Sequence, residues 1–313
     1  MVAAAVAAAA LACTPQPGLG SVTYTRGAQL HVLDIATCHE RVLRSQQAGR
    51  VSIVVSRDGT RRATVGVSKG KQTIWVTTRG KGIHMAALRL PAWTPNGKNG
   101  SPGPIMLLGF WGDSRWLFYA IDPMGSASLV ADGVDVRVIA LEQDGLRRLG
   151  PMLAYADYRT WCGRRLVLTT GGDRIATHNK QLSVTAPPQW RLQRLVTAPH
   201  RAWGSLACAP DRRSVVVQSQ PDNGSGYFFG TRWQLWRVGL DGSQRRLTSP
   251  PPGYADESPR FSPDGRTLFF VRSRKGVGML YALRGGRVLG PFASLGFQLG
   301  YYGHHAWPYS VRR

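Results

Sequence analysis

Residues Glu257 to Phe292 read ESPRFSPDGRTLFFVRSRKGVGMLYALRGGRVLGPF, and the fold follows from this stretch. In Ser262-Pro263-Asp264-Gly265, proline pre-sets φ at the second turn position and aspartate suits the third. Gly265 can then take a positive φ, so the four residues close a hairpin. The run Leu268-Phe269-Phe270-Val271 is apolar on both faces, as a strand sandwiched between neighbouring sheets must be. The stretch predicts four short strands: one ending at Phe261, then Thr267–Arg272, Met279–Leu283 and Val288–Phe292.

The same pattern recurs upstream at a period of roughly fifty residues. Val55-Ser56-Arg57-Asp58-Gly59 matches Phe261 to Gly265, Phe110 to Phe118 matches with Asp113 on Asp264, and Cys208-Ala209-Pro210-Asp211 matches again. Trp161 to Leu166 is a degenerate copy with a shortened turn. The third strand of the unit recurs as Gln29–Val32, Thr73–Val76, Asp135–Val138, Gln181–Val184, Gln234–Val238 and Met279–Ala282. The aspartates Asp58, Asp113, Asp211 and Asp264 are read as structural turn residues. Near Ser21 the chain enters at a second strand, Val22–Thr25, and Ala306–Val311 looks like a first strand with nothing after it. Joining the two completes a blade, and a closed ring removes the exposed edges of an open array.

The motif F-S-P-D-G-R-T-L-F-F followed by a short L-Y-A strand resembles the repeat of the TolB-like propellers, and of WD-type repeats more broadly. The resemblance is sharp from Glu257 to Phe292, fair around Asp58, Asp113 and Asp211, and poor around Cys162. It implies an all-β, six-bladed β-propeller over residues 21–313, with a closing blade built from both chain termini. Propellers of this kind bind peptides, proteins or sugars, or flank a catalytic domain.

Residues 1–12 carry an apolar run and a small-x-small site, Ala10-Leu11-Ala12, which fits a secretory signal. Residues 13–20 are read as a linker. Export to the periplasm, the cell surface or the medium is therefore expected. Cys13 behind that site opens an alternative in which it carries a lipid and attaches the protein to a membrane, although Ala10 replaces the usual leucine. Four cysteines fit an oxidising compartment and allow three pairings; Cys13–Cys38 and Cys162–Cys208 are the expected ones.

The net charge of +23 favours acidic partners. The basic residues are spread along the chain without a long run, and no nucleic-acid-binding signature accompanies them, so nucleic acid is not the expected partner. The sequence also lacks a G-x-S-x-G elbow, a phosphate-binding glycine loop and a H-E-x-x-H pair. No cofactor and no metal are expected, and the protein is read as a non-catalytic monomer.

The loops that join one blade to the next are unusually aromatic. They hold Trp93, Tyr155, Asp157, Trp203, Tyr254, Asp256, Glu257, Tyr302, His304 and His305, and Tyr155-Ala156-Asp157 recurs as Tyr254-Ala255-Asp256. Aromatic side chains concentrate in binding hot spots, so these residues are the candidate ligand face for an envelope protein, peptide or glycan. Repeat ancestry and packing between blades explain the same residues without a ligand. Two other functions compete: a propeller hydrolase or lyase using His304, His305 and the acids Asp157, Asp256 and Glu257, and an adhesin for polyanions.

Overall fold

The computed structural model describes residues 13–27, 29–43, 53–56, 58–80, 83–91, 103–110, 114–121, 133–141, 146–153, 155–198, 200–223, 231–300 and 302–312. The expected signal over residues 1–12 and the candidates Trp93 and Asp113 lie outside the described residues. The chain forms two compact units, one of residues 1–47 with 198–313 and one of residues 48–197.

In chain order, β1 (Ser21–Arg26), β2 (Gln29–Asp34) and β3 (His39–Leu43) open the first unit. The second unit contains three antiparallel sheets. They are β4 (Ile53–Val55), β5 (Arg61–Ser68), β6 (Lys71–Thr78) and β7 (Ile83–Pro91); β8 (Ile105–Phe110), β9 (Trp116–Ile121), β10 (Gly133–Ala140) and β11 (Leu146–Leu153); and β12 (Arg159–Cys162), β13 (Arg165–Thr170), β14 (Gln181–Thr185) and β15 (Gln193–Arg194). Its core gathers Val136, Val138, Leu166 and Leu168 around Trp190, and separately Ile74, Val76, Leu117 and Tyr119.

The first unit resumes with β16 (Arg201–Cys208), β17 (Ser214–Pro221), β18 (Gln234–Gly239) and β19 (Gln244–Arg246). Next come β20 (Ala255–Phe261), β21 (Leu268–Arg274), β22 (Val277–Arg284) and β23 (Arg287–Phe297), then β24 (Tyr309–Arg312). The sheet order β24-β1-β2-β3 joins the first described strand to the last, with Ser21 opposite Arg312 and Tyr24 opposite Tyr309. Six sheets of four antiparallel strands, one of them assembled from both ends, make this an all-β, six-bladed β-propeller.

The turns form as their chemistry dictates. Ser262 N–H donates to Thr267 O and Gly265 N–H to Ser262 O, while Asp264 accepts from Ser262 Oγ at 2.6 Å and from Arg266 N–H at 3.1 Å. Gly265 has φ +73°, and a β-carbon there would overlap the Pro210 ring, so backbone freedom and close approach both demand glycine. Asp58 accepts from Ser56 Oγ and Thr60 N–H in the same way, and Asp211 from Arg213 N–H.

Residues 13–20 do not run free as a linker would. Cys13 is disulfide-bonded to Cys38, Gln16 N–H donates to Ile35 O, and Leu19 enters the core beside Val22 and Leu33. The disulfide consumes the thiol that a lipid would need, which removes attachment through Cys13. Cys162 and Cys208 are also in disulfide form, and no cysteine among the described residues is free.

Candidate functional site

Three of the ten predicted site residues, Asp256, Glu257 and His305, meet in the first unit, where β20 is pinned to the C-terminal segment. Pairing of β20 with β21 sets Asp256 opposite Arg272 and Glu257 opposite Val271. A bulge follows between Glu257 and Arg260, with Ser258 at φ +50°, a conformation that β-sheet residues other than glycine rarely adopt. Successive side chains of a strand point to opposite faces, so Asp256 and Glu257 serve two separate networks.

Asp256 is fully buried and forked onto Arg272, with Nε to Oδ1 at 2.7 Å and Nη2 to Oδ2 at 3.0 Å. Burial pushes the Asp256 carboxyl upward, and the Arg272 hydrogen bonds and charge oppose that rise. The Arg272 guanidinium lies 5.2 Å from the Tyr281 ring centre and 5.7 Å from that of Phe270.

Glu257 is 1% exposed, and both its oxygens are engaged. Oε1 meets His305 Nδ1 at 3.0 Å and accepts from Thr231 Oγ1 at 3.3 Å, while Oε2 accepts from Trp307 Nε1 at 2.6 Å. His305 stacks on Trp307 with ring centres 5.5 Å apart. Burial alone would lower the His305 pKa; the charge of Glu257 and its hydrogen bond outweigh burial and raise it. One residue on, Ser258 N–H donates to the Gln218 side-chain oxygen at 3.1 Å, and the Ser258 carbonyl accepts from the Tyr309 hydroxyl at 2.5 Å. Strand β20 thus holds the segment 302–312 through one ion pair and two short hydrogen bonds from aromatic side chains.

The remaining candidates fall elsewhere. Trp203 lies within β16 at 1% exposure, and Tyr155 is buried edge-on against Tyr158 with ring centres 5.3 Å apart, so neither offers its ring to a ligand. His304 is 4% exposed. Asp157 is half-buried in a 3-10 turn over Ala156–Tyr158, Tyr302 is half-buried, and Tyr254 is half-buried under the Arg274 guanidinium at 5.2 Å. The two Tyr-Ala-Asp copies therefore do different things: the first forms a turn, and the second leads into a strand. Strands β16 and β20 begin earlier than their polarity suggests and draw Trp203, Asp256 and Glu257 inward, away from any loop surface.

Arg272, Thr231, Trp307 and Tyr309 complete the site, and sequence reasoning does not single them out. Counting the hairpin register out from the Ser262–Gly265 turn brings Arg272 near Asp256, a signal the sequence does contain. Among the described residues, no three His, Cys, Asp or Glu side chains gather as a metal site requires.

No family model matches the chain, and no curated protein matches it. Solved structures do. TolB from Acinetobacter baumannii is 16% identical over 85% of this chain and 61% of that one, with a TM-score of 0.45. An oligogalacturonate lyase in complex with manganese is 14% identical over 83% and 69%, with a TM-score of 0.49. Prolyl oligopeptidase B from Galerina marginata is 11% identical over 86% and 38%, with a TM-score of 0.50. The chain thus spans less than two thirds of the Acinetobacter and Galerina proteins. At 11% identity the likeness to the Galerina protein bears on the fold alone, and the six four-stranded sheets carry the propeller assignment.

Proposed function

We propose that the chain is an exported, non-catalytic binding scaffold for a protein, peptide or glycan of the cell envelope. One observation carries this reading: the acids best placed for catalysis are already committed internally. Asp256 gives both oxygens to Arg272, and Glu257 gives both to His305, Thr231 and Trp307, at 0% and 1% exposure. A general acid or base must reach a substrate proton within hydrogen-bond distance, and these carboxylates face protein on every side. The disulfide between Cys13 and Cys38 supports an oxidising compartment, and the +23 charge supports an acidic partner.

The test uses purified chain on two fronts. Saturable binding to a fractionated cell envelope, with no turnover of ester, lactone or oligo-uronate substrates, is the expected result. Turnover of any of these that co-elutes with the chain through gel filtration and ion exchange would overturn it.

A further inference from the structure

Sheet β16–β19 ends on a strand of three exposed residues, Gln244-Arg245-Arg246. Gly239 N–H donates to Ser243 O and Leu247 N–H to Leu235 O, both at 2.8 Å, and these bonds fix the hydrogen-bonded pairs of β18 and β19. By antiparallel alternation, Arg245 turns its backbone groups to Arg237, whereas those of Gln244 and Arg246 point away from the sheet. Among the described residues, no strand pairs with that outer side.

The side chains along this edge are unusual in their charge. Arg237 and Arg245 stand directly opposite each other, and like charges so placed repel. Both border an open groove of about 370 Å³ that Arg213 also lines. The groove's two carboxylates are already in use. Asp211 is bound to Arg237 at 2.5 Å, and Asp241 accepts from Ser243 N–H at 3.0 Å and Ser243 Oγ at 2.7 Å. Arg213 and Arg245 have no carboxylate partner among the described residues. On the opposite face, Arg246 is paired across the strands with Trp236, whose ring lies 4.4 Å from the Arg201 guanidinium. Guanidinium groups therefore flank the edge on both sides.

We propose that the free edge of β19 docks an extended acidic peptide segment, which adds to the sheet as a fifth strand. The added strand's backbone meets the outward N–H and C=O groups of Gln244 and Arg246. Its side chains alternate between faces, so carboxylates on one side enter the groove of Arg213, Arg237 and Arg245, and those on the other approach Arg246. Charge on an outer strand normally blunts it against pairing. Here Arg237 is already neutralised by Asp211, whereas Arg245, set opposite it, has no carboxylate of its own among the described residues and favours an incoming one. A glycan or a free phosphate would satisfy the arginines but would leave the outward backbone groups unmatched. The inference rests on the binding-scaffold reading and names its partner's chemistry.

The test measures binding of fluorescent eight-residue peptides to the full chain. The peptides are alternating Thr-Glu, the same with Gln for Glu, and Thr-Glu methylated on every backbone nitrogen. The unmodified Thr-Glu peptide is expected to bind, and the other two to bind about tenfold or more weakly. Arg213→Gln and Arg245→Gln should each weaken the Thr-Glu peptide by about tenfold. Arg287→Gln, which removes the same charge from the exposed first residue of β23, should leave binding unchanged. Equal binding of the methylated peptide would overturn strand addition. Equal loss in Arg287→Gln, or equal competition by polygalacturonate or pyrophosphate, would reduce the site to general attraction and overturn the peptide assignment. If the Arg213/Arg245 double variant retains its full envelope binding, the groove assignment fails while the scaffold reading stands. If the wild-type chain binds the peptide yet shows no envelope binding, the scaffold reading fails instead.

Discussion

Glu257 Oε2 accepts the indole N–H of Trp307 at 2.6 Å, joining residues separated by 50 positions in the chain. The same carboxylate holds His305, so one side chain fastens the C-terminal segment to β20. Glu257→Gln removes the charge and keeps the shape. That variant should lose about 3 kcal/mol, because His305 and the indole N–H would be left buried without their anion. Trp307→Phe should lose about 2 kcal/mol through the orphaned carboxylate oxygen and the lost ring area. Urea unfolding followed by tryptophan fluorescence and circular dichroism checks both; midpoints unchanged from wild type would show the contact to be energetically idle.

His305 makes this fastening sensitive to pH. Its folded pKa is raised above the ordinary 6.5, so its contribution is complete below that value. Stability should fall as pH rises from about 6.5 through the raised folded value, where the imidazolium is lost. His305→Gln should be less stable at pH 6 and should lack that decline. Melting temperatures of both proteins across pH 5.5 to pH 9 (a range set around the histidine value) measure it, and parallel curves would refute the assignment.

Gly278 is small because Trp307 lies against it. A β-carbon at position 278 would stand 2.5 Å from the indole ring, and its φ is not in the left-handed region, so the constraint is steric. Gly278→Ala should cost about 2 kcal/mol. In a Trp307→Phe background the same change should cost less than half as much, since the smaller ring leaves room for the methyl group. A double-mutant cycle with additive costs would disprove the contact.

In the unit of residues 48–197, Lys180 is 1% exposed, and its ammonium donates to Asp173 O at 2.5 Å and His178 O at 2.8 Å. The loop from Gly171 to Lys180 therefore folds around a cation. Lys180→Met keeps the apolar stem but strips these carbonyls of their donor, and should cost about 3 kcal/mol. Hydrogen exchange should show the loss as faster exchange in the loop 171–180, ahead of β13 and β14.

The blades are legible in the sequence because hairpin turns and apolar strands are local signals. All six expected third strands appear, as β2, β6, β10, β14, β18 and β22, and the terminal strands pair as β24 with β1. The last strand of the Glu257 repeat, expected over Val288–Phe292, extends over Arg287–Phe297. The site is less legible. Asp256 and Glu257 look like loop residues beside Tyr254, since acids are scarce in strands, and only the long-range partners Arg272, His305 and Trp307 make burial tolerable. Nor does the sequence reveal the facing of Arg237 and Arg245, which depends on the register of a three-residue strand.

The sheet that unites β24 with β1 also imposes an order on the birth of the molecule. Synthesis delivers β1, β2 and β3 ahead of every other strand described, yet their fourth strand is made after all of them. Until Arg312 has left the ribosome, β1 keeps a bare edge at Ser21–Tyr24 and Glu257 has no Trp307 to hold. The nascent chain is thus kept from sealing early, and among the described sheets the one begun first is the last to be finished.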